Sequence, residues 1–465
     1  MKFSVLDIAV FERDVRLRMP FRFGVATLTQ APQAFVRARI RLENGKESEG
    51  GAAEMLIPKW FDKDPALSNE QNFEQLRASL ELARDAYLAG GDNTAFGHSI
   101  DAYGPQIALA ATRGLNSLVA CYGPALIDRA LLDALCRALG ISFYEAMRNN
   151  VVALAAPGWQ ADLMAFDING FLAGLKPRAT IAARHTVGLL DPISANERPV
   201  GDGLPETLDE VVARYGHRWF KLKLGGEQEA DLERLAAIAA VLDRISDPYH
   251  ATLDGNEQFA HADAMLELLR RMGRDPRLKR LCSSIAFIEQ PLRRSAALAG
   301  DISLLSEEKP VIIDESDDSL EAFPRARRLG YAGVSSKTCK GLYKSLLNAA
   351  RCRMWNMEEG AERYFMSGED LTVQAGLAVQ QDLALVSLLG LAHVERNGHH
   401  YVNGMAGAPR EEQQAFLAAH PDLYEDSQGA VRLRIVNGLL ELRSLDAPGY
   451  ASGSLPDWNS MRRSQ

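Results

Sequence analysis

The stretch WFKLKLGG at residues 219–226 places two lysines one residue apart inside an otherwise apolar run. Lys221 and Lys223 are separated by Leu222, and successive side chains on a β-strand alternate between its two faces. We therefore expect a buried strand whose two ammonium groups point the same way. Because two like charges on one face disfavour each other's charged form, this pair indicates a functional strand rather than simple packing.

Short β-rich runs alternate with amphipathic helical stretches around this strand, from residue 178 to residue 395. Such alternation is typical of successive βα units and a parallel sheet. Six clear strands and two weaker ones predict a barrel of the α/β class, a modified (β/α)8 fold closed by eight strands. The candidate strands are ATIAARHTVGL, RWFKLKLGG, HATLDGN, IAFIEQP, KPVIIDES, YAGVSSKT, RYFMSGED and AHVERNG.

The chain before the barrel has a different pattern. Residues 1–55 alternate in period two, and Asn44-Gly45 is a hairpin signal. Residues 68–148 show helical spacing, and the run ALIDRALLDALCRALG stops at Gly140. We predict four segments: an α+β capping domain with linking helices (1–150), an insertion (151–177), the barrel (178–395) and a C-terminal segment returning to the capping domain (396–465).

Charged residues end several of the predicted barrel strands. In a (β/α)-barrel the carboxyl ends of the strands converge on one mouth, where such residues indicate catalysis. Carboxylates from three adjacent strands favour Mg²⁺, because it prefers oxygen ligands and can complete its octahedron with water and substrate oxygens. The strand-end residues are Lys221, Lys223, Asp254, Glu289, Asp314 and Lys337.

The composition argues mildly against two classes of partner and bears on the protein's location. The formal net charge is -9, from 52 basic and 61 acidic residues, which argues against nucleic acid and anionic membrane surfaces. The five cysteines are odd in number and contain no CxxC pair, as is typical of reduced thiols. Charges interrupt the N-terminal apolar stretch, and no run of 18 apolar residues occurs. We expect a soluble, cytoplasmic protein.

Five motifs, KLK, LDGN, IEQP, DES and SSKTCKG, resemble those of the enolase superfamily in their order along the chain. Within that superfamily the resemblance is to the mandelate racemase/muconate lactonizing enzyme group. The run LIDRALLDALCRALGISFYEAM resembles the helix that links its capping domain to its barrel. The stretches PFRFG and GAAEMLIPKW resemble its two capping loops, so the resemblance covers most of the chain.

The resemblance also implies residue roles. Lys223 and Lys337 would be the two acid/base groups, one on each side of the substrate. Lys221 would lower the pKa of Lys223, and Asn256 would support the metal site. A divalent cation would stabilise the charge that develops when an α-proton leaves a carboxylate and an enediolate forms. The implied Mg²⁺ ligands are Asp254, Glu289 and Asp314.

The seventh and eighth strands bear on the substrate. Mandelate racemase-like members use a histidine on strand seven, whereas FMSGED offers Glu369 and no histidine. This favours the muconate lactonizing-like subgroup, which has lysines on both sides. On strand eight, HVE provides His393 and Glu395 where dipeptide epimerases of the subgroup carry Asp-x-Asp, so a dipeptide substrate is less expected. His393 could equally be a packed core residue.

Two further basic residues have open roles. Arg22, in the first resembling loop, could bind a distal anionic group of the substrate or be an ordinary surface arginine. Lys340 lies close to Lys337 in the sequence, and it would take the acid/base role if the strand register placed it inward.

Lysines on both faces allow more than one outcome. Racemisation, epimerisation or cycloisomerisation of a small carboxylic acid is preferred. The alternative is a lyase or dehydratase that eliminates a β-substituent from an acid sugar or a similar hydroxy acid. A non-catalytic barrel is the third hypothesis, and the intact set of carboxylates and lysines argues against it. Because related enzymes commonly assemble, we expect a homo-oligomer.

Overall fold

The computed structural model describes residues 1–24, 26–158, 160–195, 197 and 199–464. No helix in these ranges is both long and apolar enough to cross a membrane. The strands are β1 (Phe3–Phe23), β2 (Ala26–Leu42), β3 (Glu47–Met55), β4 (Thr180–Val187), β5 (Trp219–Lys223), β6 (His250–Asp254), β7 (Ile285–Glu289), β8 (Val311–Ile313), β9 (Gly333–Ser336), β10 (Phe365–Gly368), β11 (His393–Glu395), β12 (Tyr424–Ser427), β13 (Ala430–Leu433), β14 (Leu439–Glu441) and β15 (Arg462–Arg463).

Helices cover one face of the capping sheet and alternate with the barrel strands. They are α1 (Asn69–Ala89), α2 (Ala95–Thr112), α3 (Ser117–Leu139), α4 (Phe143–Arg148), α5 (Ile168–Ala173), α6 (Leu208–Tyr215), α7 (Gln228–Leu242), α8 (Ala262–Arg274), α9 (Lys279–Ser284), α10 (Arg294–Ala297), α11 (Ser303–Glu308), α12 (Ala322–Arg328), α13 (Leu342–Glu359), α14 (Leu377–Leu388), α15 (Gly398–Tyr401) and α16 (Arg410–Ala419).

Strands β4 to β11 form a closed parallel barrel in sequence order, and pairing of β11 with β4 completes the ring. The predicted eight-stranded barrel is therefore confirmed. On β5, β6 and β7 the side chains of Leu222, Leu253 and Ile288 are fully buried in the apolar layer shared with the surrounding helices. Because strand side chains alternate, the polar residues on either side of these positions point into the barrel.

The predicted antiparallel sheet of the capping domain is also confirmed, in the strand order β15-β1-β2-β3. Gly45 has φ +83° in the turn between β2 and β3, and the Asn44 side chain accepts a hydrogen bond from the Lys46 amide at 3.0 Å. Helix α3 ends at Gly140, whose φ of +69° forms a left-handed C-cap. The hairpin turn therefore contains the Asn-Gly pair that predicted it, and the helix ends at the glycine that predicted its end.

The C-terminal segment contacts both parts of the molecule. Strand β14 pairs with the start of β4 in the barrel, and β15 pairs with β1 in the capping sheet. The segment before α5 is fastened to α13 by an ion pair, in which Arg351 Nε lies 2.8 Å from Asp162 Oδ2. Arg351 is completely buried, so this pair holds the segment against the barrel.

The capping sheet lies directly on the backbone of α3 at Gly50. A Cβ atom at this position would lie 2.2 Å from the Ala134 nitrogen and 2.5 Å from the Ala130 oxygen. These are main-chain atoms of a packed helix, so they cannot move aside as a flexible side chain would. Gly50 therefore sets the distance between β3 and α3.

We predict that Gly50→Ala lowers the melting temperature, because the added methyl group forces β3 away from α3 at a cost of about 1–3 kcal/mol or more. Gly273→Ala, within α8 and with open space around its Cβ, is the matched control and should be neutral or slightly stabilising. Thermal unfolding followed by circular dichroism measures both. Equal melting temperatures for Gly50→Ala and the wild type would contradict the close approach.

Candidate active site

The carboxyl edge of the barrel carries a row of charged residues on neighbouring strands. Lys223 pairs in register with Asp254, and Asp254 pairs in register with Glu289. Asp314 directly follows β8, the next strand in the ring, and Lys337 directly follows β9. The barrel therefore brings together the strand-end residues that the sequence pattern singled out, because each lies at the end of its own strand.

The two candidate acid/base lysines lie on opposite sides of this edge. Strands β5 and β9 stand four places apart in the ring of eight, so Lys223 and Lys337 approach from opposing directions. Lys223 Nζ lies 2.6 Å from Asp254 Oδ2, and Lys337 Nζ lies 2.6 Å from Asp314 Oδ2. The two lysines are only 6% and 4% exposed, respectively.

The ammonium group of Lys221 lies among four carboxylates inside the barrel. Its Nζ is 2.9 Å from Asp254 Oδ2, 2.7 Å from Glu289 Oε2, 2.8 Å from Glu369 Oε2 and 2.9 Å from Glu395 Oε2. Burial alone lowers the pKa of Lys221, but these carboxylates outweigh it and raise the pKa well above its usual value. Lys221 is therefore a fixed positive charge.

Asp314 contacts both Lys337 and Lys340. Burial favours a high pKa for Asp314, but Lys337 and Lys340 together lower it far below its usual value. Lys340 Nζ contacts the Ser335 hydroxyl at 2.7 Å, the main-chain oxygen of Asp314 at 3.2 Å and Asp317 Oδ2 at 3.1 Å. Lys340 supports the strand end, whereas Lys337 lies at the mouth.

Trp60, in the stretch that resembles the second capping loop, covers Lys337. The Lys337 Nζ lies 4.4 Å from the centroid of the Trp60 ring, a cation–π contact. Burial disfavours the charged form of Lys337, but Asp314 outweighs it, so the pKa of Lys337 is raised. In this arrangement Lys337 is protonated and screened from water.

Arg184, on β4, is a site residue that the sequence analysis missed. Its guanidinium is completely buried, pairs with Glu369, and donates to the Gly368 carbonyl at 3.0 Å. The signal was present, since an arginine in an apolar candidate strand needs a buried partner. Arg184 thus fixes the carboxylate of Glu369 that also contacts Lys221.

The remaining predicted residues lie at different depths. His393 is the first residue of β11, below the lysines, where it stacks on Trp219 at 3.8 Å and accepts from Arg184 at 3.2 Å. Burial lowers the pKa of His393 well below its usual value.

Two further predicted residues lie elsewhere. Asn256 donates its backbone amide to Asp254 Oδ1 at 2.8 Å, and the side chain of Arg22 is exposed.

The donor chemistry of the three strand-end carboxylates fits Mg²⁺. Burial raises the pKa of Glu289 well above its usual value, with Asp254 and Glu369 adding to the effect. Its Oε2 accepts no hydrogen bond, although Lys221 lies nearby. In the described part of the chain, no three His, Cys, Asp or Glu side chains are grouped so that they could hold a metal ion. Each of the three strand-end carboxylates instead pairs with a lysine. The oxygen donors suit a hard cation.

Comparison with known proteins gives a family match over more than half of the chain. Residues 203–450 match the family model described as enolase C-terminal domain-like. No curated protein matches the sequence significantly.

Solved structures of similar fold span the whole chain. A muconate lactonizing enzyme from Pseudomonas fluorescens with muconolactone is 18% identical, with 98% of each chain covered and a TM-score of 0.60. An enolase from Bradyrhizobium with magnesium and mandelic acid is 15% identical, with 100% and 99% covered and a TM-score of 0.61. A dipeptide epimerase from Enterococcus faecalis is 15% identical, with 97% and 99% covered and a TM-score of 0.59. At sequence identities of 15–18%, the similarity to these structures shows the fold alone.

We predict that Glu369→Gln destabilises the protein by about 3–5 kcal/mol, because it leaves two buried cations, Arg184 and Lys221, with one carboxylate fewer. Glu359→Gln is the matched control, because Glu359 pairs with arginines but is partly exposed and should cost about 0–1 kcal/mol. Thermal unfolding of both variants measures the difference. A melting temperature for Glu369→Gln equal to that of the control would refute the buried network.

Proposed function

The chain belongs to the enolase superfamily, in its mandelate racemase/muconate lactonizing group, and is an enzyme of that superfamily; from this we propose that it removes the α-proton of a small carboxylic acid in the presence of Mg²⁺. The opposed placement of Lys223 and Lys337 carries this proposal. An acid held between them presents one face to each lysine. One lysine can then take the α-proton and the other can return a proton to the opposite face.

Asp254, Glu289 and Asp314 would hold the cation. Bound there, Mg²⁺ would supply positive charge where the substrate carboxylate becomes more negative, and it would compete with the lysines for these carboxylates. Their burial makes each electrostatic contact stronger than in water.

We propose that Lys337 starts as the acid. Lys337 is held protonated by Asp314 under Trp60, so in this arrangement it can donate a proton. Lys221 stays charged among its carboxylates, and it offsets negative charge that develops near Glu289 and Glu395. Trp60 excludes water, which protects a reactive carbanion from solvent protons.

Isomerisation follows most directly from this geometry. Protonation from the opposite face inverts the α-carbon, which is racemisation or epimerisation. One protein of similar fold is the dipeptide epimerase from Enterococcus faecalis. His393 lies below the mouth, away from both lysines. We therefore propose that the substrate acid does not contact His393.

We predict that the wild-type protein with Mg²⁺ in D₂O exchanges the α-proton of at least one acid in a library of acid sugars, N-acyl amino acids, dipeptides and muconates. Lys223→Ala and Lys337→Ala should each lower the exchange rate by about 10²–10⁴-fold, because each removes a proton-transfer group. Lys309→Ala, at the other end of the barrel, is the matched control. Proton NMR follows both exchange and chirality.

Scrambled chirality in the wild type, lost in both variants, supports two-base isomerisation. Full activity of both variants would refute the assigned roles. Exchange that survives in one variant would indicate one-base chemistry, and loss of a β-substituent would indicate elimination.

We predict that the wild-type protein binds Mg²⁺ and that Asp254→Asn and Glu289→Gln weaken this binding by at least about tenfold, since each removes one anionic ligand. Asp247→Asn, which alters an exposed ion pair with Arg218, should leave it unchanged. Isothermal titration calorimetry with MgCl₂ after EDTA treatment measures the affinity. Equal affinities in all four proteins would place the metal elsewhere.

A further inference from the structure

The candidate site is covered by one short segment of the capping domain. This segment, residues 57–64, is here called the cover loop, and it carries Trp60 over Lys337. Trp60 is only 2% exposed, and both acid/base lysines beneath the capping domain are buried. A substrate can reach Lys337 only after the cover loop moves.

Lys63 fastens the end of the cover loop to the barrel. Its Nζ lies 2.6 Å from Glu257 Oε2 and 3.1 Å from Glu315 Oε1, and it donates to the main-chain oxygen of Asn256 at 2.9 Å. Glu315 directly follows the candidate metal ligand Asp314, and Asn256 and Glu257 lie two and three residues after the candidate ligand Asp254. The loop is thus tied to the two strand ends that form the site.

Arg294, at the start of α10, fastens the middle of the same loop. Its guanidinium donates to the main-chain oxygens of Trp60 at 2.7 Å and Phe61 at 2.8 Å. The same guanidinium donates to both carboxylate oxygens of Glu257, at 3.0 and 2.8 Å. Glu257 therefore joins the two cations that hold the loop.

The backbone around Glu257 is strained in a way that supports this arrangement. Glu257 has φ +69° and Asn256 has φ +41°, both in the left-handed region that residues with a Cβ rarely adopt. Such conformations persist where the surroundings enforce them, and they cluster at functional sites. Here they direct the Glu257 carboxylate between Lys63 and Arg294.

The three side chains differ in their access to water. Glu257 is 4% exposed at its side chain, while Lys63 is 20% and Arg294 is 24% exposed. Water can therefore solvate the Lys63 ammonium and the Arg294 guanidinium when the loop leaves, while Glu257 stays paired with Arg294 within the barrel. Opening thus leaves no unpaired buried carboxylate, which makes it easier than breaking an isolated buried pair. The contacts of Lys63 and Arg294 are short enough to hold the loop closed. Because both cations are partly exposed, water can replace these contacts when the loop opens.

We propose that Lys63, Glu257 and Arg294 form a latch that holds the cover loop closed over Lys337 and that opens to admit substrate and release product. They are positioning residues, which act on the reaction through Trp60. This inference rests on the proposed function, because it regulates access to that same site.

Hydrogen–deuterium exchange of the full chain, without substrate, tests the latch. In Lys63→Met, backbone amides of residues 57–64 should exchange at least about tenfold faster than in the wild type, because the loop opens more often. Lys63→Arg keeps the charge and should restore slow exchange. Asp202→Asn is the matched control, since it breaks another ion pair from the capping sheet, to Arg18 at 2.6 Å, without touching this loop.

Glu257→Gln gives an independent second variant, because it weakens both cation contacts at once. It should also raise the exchange of residues 57–64, with a melting temperature that confirms a folded protein. Wild-type exchange rates in both Lys63→Met and Glu257→Gln would overturn the latch, as would an equal increase in Asp202→Asn.

Kinetics separate the latch from the chemistry. For any acid whose α-proton exchanges, Lys63→Met should raise KM by about tenfold with a smaller change in kcat, and Lys63→Arg should reverse this. A loss confined to kcat would overturn the positioning role. Lys223→Ala should lower α-proton exchange by about 10²–10⁴-fold but leave the amide exchange of residues 57–64 unchanged, so a failure of the proposed function is distinguishable from a failure of the latch.

Discussion

The charge balance around the buried ammonium of Lys221 is the constraint on which the site depends. An unpaired ammonium inside a barrel would be prohibitively costly, and so would the unpaired carboxylates around it. Asp254, Glu289 and Glu395 end three different strands and Glu369 directly follows a fourth. These carboxylates therefore meet Lys221 only when the barrel closes. The electrostatic network and the barrel fold therefore require each other.

Much of the fold and part of the site could be predicted from the sequence, because the relevant signals are local. Period-two runs and glycine-ended helices reflect backbone geometry that neighbouring residues dictate. A polar residue that ends a strand must lie at the mouth of a parallel barrel, whatever its partners are. That is why Lys223, Asp254 and Glu289 could be selected, and their adjacent register follows from strand order alone.

The rest depends on contacts between residues far apart in the chain. Lys63 and Arg294 are separated by the whole first half of the barrel, and no local pattern links them to Glu257. Arg184 stands out as a charge in an apolar strand, but its partner Glu369 directly follows β10, 185 residues later, so no local pattern shows the pairing. His393 lies in a strand of three residues, where sequence alone does not separate the floor of the barrel from its mouth.

The floor of the barrel has a kinetic consequence. Below Lys221 the interior is filled by Arg184, His393 and Trp219, with His250 stacked on the far side of Trp219 at 4.3 Å. A molecule bound between the two lysines therefore leaves by the way it entered. In the proposed isomerisation, product and substrate bind in the same place between the lysines, so accumulated product competes with substrate and net turnover slows as equilibrium is approached.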